Sequence, residues 1–183
     1  MNIELLTFTL VVGWLAASVR LAIPILFAAL GELFTERAGI LNLGLEGIML
    51  MGALSSFLVA FITRSLWLAL LAGALSGMAL SLLMAFMSVT VKANQVVAGL
   101  GITILGGGLS TMFFRLYFGL RSTRPMIERA FSEQPIPFLS QIPVLGEVLF
   151  RHNILAYLAL ILVGVSWLIL YRTRFGLALR ITC

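Results

Sequence analysis

The sequence predicts an all-α fold, a polytopic membrane helical bundle of about six transmembrane helices. Three observations carry that expectation. Hydrophobic residues make up 61% of the 183 and charged residues 10%, with a mean hydropathy of +1.13, whereas a soluble domain carries about a quarter charged residues. Residues 65–91, 93–114 and 152–171 form uncharged stretches of 27, 22 and 20 residues, and Glu46 is the sole charge among the 26 residues between Arg37 and Arg64. A helix needs about 20 such residues to cross roughly 30 Å of hydrocarbon. The apolar runs are continuous rather than alternating, which argues against a membrane β-barrel.

Six spans follow in order. Span one covers 3–19 and is closed by Arg20; no basic residues precede its apolar run, so it reads as a retained helix rather than a cleaved signal. Span two covers 22–34, with Pro24 in its first turn, where a missing N–H costs little. It is short for a crossing, and either tilts or continues into Gly39–Gly44. Spans three to six cover 45–62, 66–88, 95–118 and 153–171. The long connection 119–151 holds Pro125, Pro135, Pro137 and Pro143 with several charges, yet Phe131, Phe138 and Leu145 are too apolar for a free linker. It is expected to lie along the membrane surface.

Two spans carry unusual small residues. Ala69, Gly73, Gly77, Ser81 and Ala85 recur every fourth residue, a ridge on one helical face that lets another backbone approach closely. Gly106, Gly107 and Gly108 fall in mid-membrane, where each weakens a helix by about 1 kcal/mol relative to Ala. That triplet marks either a tight crossing or a broken helix lining a pathway, since freed carbonyls in lipid need cover from protein or water.

What is missing excludes most chemistry. The chain has no Asp, one Lys, one His and one Cys. It therefore has no P-loop lysine motif, no aspartyl-phosphate chemistry, no Cys/His zinc set and no internal disulfide. The seven acids are scattered glutamates, so no catalytic constellation forms and no cofactor or metal is expected. The net charge of +5 comes from Arg residues between apolar spans, where they anchor helix ends and meet headgroups; a nucleic-acid partner is not expected. Charge alone does not choose the orientation, because the 119–151 connection carries most of the opposing Arg residues.

One stretch departs from generic apolar helix. From Pro24 to Ala53 it reads PILFAALGELFTERAGILNLGLEGIMLMGA. Its polar residues sit where a membrane sequence would exclude them unless they served a purpose. The pattern Ala29-Leu30-Gly31-Glu32, Glu36-Arg37-Ala38-Gly39, Asn42, Gly44, Glu46-Gly47 and Met49 to Ala53 resembles the permease subunits of binding-protein-dependent ABC importers. More narrowly, it resembles their simple-sugar and nucleoside branch, related to the branched-chain amino-acid permeases. Lys92 to Leu100 (KANQVVAGL) and Tyr171 to Arg180 (YRTRFGLALR) resemble two further family segments in the same order. Thr103 stands where the family pattern has Asn. Relatives are longer, so the chain looks like the N-terminal part of a larger permease fold, shortened at its C-terminus.

The resemblance implies a single transmembrane domain over 1–183, an extracytoplasmic loop at 119–151 and the start of a cytoplasmic coupling loop at 171–183. It then implies that 35–44 and 89–94 face inward, with the N-terminus inside. It further implies a multi-pass protein of the bacterial inner membrane that moves a small polar solute without itself being an enzyme. The implied partners are an ABC ATPase subunit, a second permease subunit (identical or different), an extracytoplasmic solute-binding protein and the bilayer. Nucleosides come first among the solutes, then simple sugars, then branched-chain amino acids. ATPase coupling would fall to Arg172, Arg174, Phe175, Gly176 and Arg180, with Glu32, Glu36 and Arg37 in a contact network that senses the ATPase. Each group also has a plainer role, as a membrane-boundary anchor or an interfacial charge cluster.

Asn42 is also a plausible N-cap for span three, and Glu46 complements the positive end of that helix. Asn94 is a plausible N-cap for span five, next to Gln95. Alternatively Asn42, Glu46, Asn94, Gln95 and Gly106 to Gly108 line a solute path. Two other classes stay open: a non-transporting truncated scaffold, and a channel or secondary transporter that needs no ATPase. For the latter only Glu32 and Glu46 could serve as ion-coupling groups.

Overall fold

The computed structural model describes residues 3–119, 126–127, 133–135, 151–174 and 176. Among them are five helices: α1 (Ile3–Arg37), α2 (Leu45–Thr63), α3 (Leu66–Ala85), α4 (Gln95–Phe118) and α5 (Ile154–Arg172). All five are long and apolar enough to cross a membrane. Two short strands, β1 (Glu133–Pro135) and β2 (Arg151–Asn153), pair antiparallel with Gln134 opposite His152. They join the middle of the 119–151 connection to its C-terminal end; most of that connection lies outside the described residues.

The spans expected at 3–19 and 22–34 are one continuous 35-residue helix. Arg20 does not end it, and Pro24 sits in its interior rather than in a first turn. Proline already has a helical φ, and its cost is the bond its absent N–H would have made to the carbonyl of Arg20, four residues back. Membrane helices tolerate that loss where neighbouring groups re-satisfy the carbonyl. At 1.5 Å per residue α1 is about 52 Å long, well beyond one hydrocarbon thickness.

The described residues fall into two compact units, 3–31 with 133–135, 151–174 and 176, and 32–119 with 126–127. In the first, α5 buries Ala156, Ala159, Ser166 and Leu170, a spacing that keeps them on one face. Asn153 caps it, its Oδ1 accepting from the Ala156 N–H at 3.2 Å.

In the second unit α2 and α3 form a hairpin turned by Arg64 and Ser65. Arg64 adopts φ 54°, the left-handed conformation that closes helices, and its N–H donates to the Ala60 carbonyl at 2.9 Å. Of the four-residue ridge on α3, Gly73 and Gly77 pack on α2 and Ala69 is buried, whereas Ser81 and Ala85 are exposed. A Cβ added at Gly73 would come within 3.1 Å of the Gly52 carbonyl, and one at Gly77 within 3.7 Å of Ile48 Cγ2. That proximity lets the Ser55 and Ser76 hydroxyls meet at 2.5 Å across the helices. Ile48, Met84, Ala98 and Ile102 form a buried cluster where α2, α3 and α4 converge. α3 ends in a π-helical turn over Phe86–Thr90, and Lys92 then takes φ 55° to redirect the chain into α4.

Candidate functional site

The polar motifs that are scattered through the sequence converge at one end of the second unit. α4 begins at Asn94, whose Oδ1 accepts from the N–H groups of Val96 (2.9 Å) and Val97 (3.4 Å), as its expected capping role requires. Gln95 points instead at the 38–44 segment. Its Oε1 accepts from the Leu41 N–H at 2.9 Å and its Nε2 donates to the Gly39 carbonyl at 3.4 Å. Thr103, two turns further along α4, donates its hydroxyl to the Leu43 carbonyl at 2.9 Å and to the Gly99 carbonyl at 3.2 Å. From the other side, Glu32 near the end of α1 accepts the Asn42 N–H at 3.0 Å. One irregular segment is thus tied to two helices through its backbone.

Glycine makes this geometry possible. A Cβ on Gly99 would lie 2.8 Å from Leu43 Cβ, and one on Gly44 would lie 2.9 Å from Ile102 Cγ2. Deeper along the same seam, a Cβ on Gly47 would lie 2.7 Å from Thr103 Cα, and one on Gly106 would lie 2.7 Å from Gly47 Cα. A larger residue at Gly47, Gly99 or Gly106 would press on backbone, and one at Gly44 on the Ile102 side chain. α4 runs unbroken through Gly106 to Gly108, so of the two readings of that triplet the structure shows the tight crossing, made by Gly106 on Gly47. Gly107 and Gly108 look away from it, onto an open groove.

Asn42 does not cap α2. The cap position is Gly44, without a side-chain bond, and the Asn42 Oδ1 accepts from the Gly44 N–H at 3.1 Å two residues on. The reason is local: Asn readily bonds its own backbone in such turns, and here that bond shapes the loop just before the helix begins. Glu46 is in the first turn of α2 as expected, but it is exposed and makes no hydrogen bond or ion pair among the described residues. Glu36 is likewise exposed, whereas Glu32 is half-buried and its Oε2 is buried with no hydrogen-bond partner among the described residues. The two glutamates, four residues apart, therefore have different environments. Arg37 is half-buried.

At the end of α5, Arg172 and Arg174 are exposed. Thr173 donates its hydroxyl to the Ile169 carbonyl at 2.6 Å and accepts from the Gly176 N–H at 3.4 Å. Gly176 is buried against the helix end, where a Cβ would meet the Leu170 carbonyl. Glycine is required there. Phe175 and Arg180 lie outside the described residues.

Thr103 stood out in the sequence only as a departure from the family's Asn and was given no place in the site. Its hydroxyl takes up the polar contact to the 38–44 segment. The available signal was its placement four residues after Gly99, the position that leaves room for the loop.

Membrane-length apolar helices, with a polar loop strapped across one end of the second unit, define a multi-pass membrane protein. Residues 14–183 match the family described as branched-chain amino acid transport system / permease component, and the chain belongs to that family. It is 43% identical over 169 residues to a putative glucose ABC transporter permease protein of Haloferax volcanii, a match covering 90% of this chain and 50% of that relative. It is 37% identical over 171 residues to a guanosine ABC transporter permease protein of Bacillus subtilis, covering 90% and 53%. A nucleoside ABC transporter permease protein of Lactococcus lactis is 34% identical over 164 residues, covering 86% and 51%. The chain spans about half the length of these curated relatives. No solved structure matches it.

Proposed function

We propose that the chain acts as the membrane-spanning subunit, or part of it, of an ABC-type importer for a nucleoside or simple sugar. Family membership over residues 14–183 is the observation that carries this reading, and the relatives named for guanosine, nucleosides and glucose supply the solute class. The chain itself would not be an enzyme. ATP would be hydrolysed by a partner subunit on the inner side of a bacterial plasma membrane, a second permease subunit would complete the pathway, and a binding protein outside would deliver solute.

In this scheme the segment beginning at Arg172 faces the cytoplasm, with 119–151 outside and 38–44 and 89–94 inside. Because α1 is one helix, residues before it then lie outside, the reverse of the side implied when α1 was counted as two spans. Arg172, Arg174, Phe175, Gly176 and Arg180 would meet the ATPase, and Glu32, Glu36 and Arg37 would stand beside the same surface. Alternating access needs the ATPase to contact the inward- and outward-open states differently. A 38–44 segment strapped to both α1 and α4 would let such a contact move the two helices together. Asn42, Glu46, Asn94, Gln95 and Gly106 to Gly108 would flank the solute path. Glu46, exposed and unpaired among the described residues, is the best placed of these to meet solute or a mobile partner.

The test is isolation of an N-terminally tagged chain from its native membrane in mild detergent, with mass spectrometry of co-purifying subunits and uptake of labelled guanosine and glucose by the parent cells. The reading predicts an ATPase and a second permease at fixed stoichiometry, and uptake that falls when the gene is deleted. Solute uptake by liposomes holding this chain alone, without any ATPase, would contradict it.

A further inference from the structure

One face of α4 carries a feature that the strap does not use. An open groove of about 890 Å³ runs along its C-terminal half, lined by Ile104, Gly107, Gly108, Thr111, Met112 and Arg115 among others. Its floor is bare: a Cβ at Gly108 would meet nothing within 4 Å, and one at Gly107 would only touch Leu50 Cδ1 at 3.8 Å. The Thr111 hydroxyl is committed to the Gly107 carbonyl at 2.9 Å, so it offers no hydrogen to an occupant and the wall is apolar. Arg115, at the end of the groove, is exposed and has no hydrogen bond or ion pair among the described residues.

Depth decides what such a groove holds. Gln95 belongs to the polar strap at one membrane boundary, and Arg115 lies 20 residues further along the same helix. At 1.5 Å per residue that is about 30 Å, the thickness of the hydrocarbon layer. Arg115 therefore reaches headgroup level, and Ile104 to Met112 lie at acyl depth. A guanidinium presents a fork of donors that matches phosphate oxygens two at a time. An apolar helix laid in this groove would cover Arg115 without supplying a counter-charge, which is costly. A phospholipid supplies both halves, an anionic phosphate at one end and an apolar chain along the rest.

We propose that this groove retains one anionic phospholipid, its phosphate on Arg115 and an acyl chain lying over Gly107 and Gly108. The site does not depend on the transport reading, and it fails or stands separately from it. The probes are palmitoyl-oleoyl phosphatidylglycerol and the phosphatidylcholine with the same chains, added to the purified full chain and counted as retained adducts by native mass spectrometry. Both lipids carry the phosphate, but the choline cation of phosphatidylcholine offsets its charge beside Arg115, so about tenfold preferential retention of phosphatidylglycerol is expected. Arg115→Gln should bring that preference to about unity, while Arg115→Lys keeps part of it. A Cβ at Gly108 meets nothing within 4 Å, so Gly108→Leu puts its side chain into the groove; helicity by circular dichroism should be unchanged while phosphatidylglycerol retention falls about tenfold. Arg64→Gln, at the same end of the neighbouring hairpin, should leave the preference intact.

Equal retention of the two lipids by the unaltered chain would overturn the proposal. So would a preference that survives Arg115→Gln, or displacement by soluble glycerol phosphate, which would mean a headgroup contact with no seat for the chain. Undiminished retention in Gly108→Leu, or a dimer mass in place of the lipid adduct, would overturn it as well.

Discussion

The two ends of the α2–α4 pair are built from opposite materials. At the end bearing Gly44, Gly47, Gly99 and Gly106, the backbones approach until no Cβ fits between them, and Gln95 and Thr103 bond a loop backbone directly. At the other end Phe57 and Phe61 of α2 meet Phe114, Tyr117 and Phe118 of α4 through tilted and edge-on rings 5.2–6.5 Å between centroids. Between the ring cluster and the crossing lies a groove of about 630 Å³, walled by Leu50, Ala53, Leu54, Phe57, Ser110 and Phe114. Hydrogen bonds and backbone contact specify one geometry, whereas ring contacts tolerate small rotations at modest cost. The pair thus has a fixed end and an adjustable end, with Gly47 on Gly106 as the fulcrum.

The largest effect that follows from this contrast belongs to the fulcrum. Gly106→Val pushes side chain into the Gly47 backbone and should destabilise the fold by about 3 kcal/mol, the upper range for overpacking, read as loss of folded fraction in a mixed-micelle SDS titration. A fold that accepts valine there would remove the distinction between the ends. At the adjustable end, Phe61→Ala removes a ring that is already 39% exposed, so the loss should be about 1 kcal/mol, one aromatic pair's worth. A cost equal to that of Gly106→Val would mean the aromatic end is as tightly specified as the glycine end. Thr103→Val keeps the shape and loses the bond to Leu43. Hydrogen bonds inside membrane proteins average about 0.6 kcal/mol, and the same titration should show a loss of that size.

The helical membrane class was legible because uncharged stretches of 20 or more residues have few other uses. α2, α3, α4 and α5 appear within a few residues of where hydropathy placed them. The first two spans were misread because Arg20 and Pro24 are strong helix-end signals in water. Within a membrane helix proline can be internal, and a mid-helix Arg is not a boundary. The strap was half legible. Asn94, Gln95, Asn42 and Glu32 stood out as polar residues in apolar company, but their pairing links positions up to 56 apart, and no local pattern encodes that. Asn42 looked like a helix cap because its spacing suited one, yet its own loop captured the bond first.

The strap is also where the account is most exposed. The Leu41 and Asn42 N–H groups are outside regular structure, and each is protected by a single side chain, Gln95 for one and Glu32 for the other. Amide hydrogen exchange of the reconstituted chain, compared with Gln95→Ala, measures that arrangement directly. The expected result is slow exchange at both amides in the unaltered chain, with Gln95→Ala accelerating Leu41 about tenfold or more while Asn42 stays protected. Fast exchange at Leu41 and Asn42 from the outset, equal to that of an open loop, would contradict a strapped end and with it the contrast between the two halves of the pair.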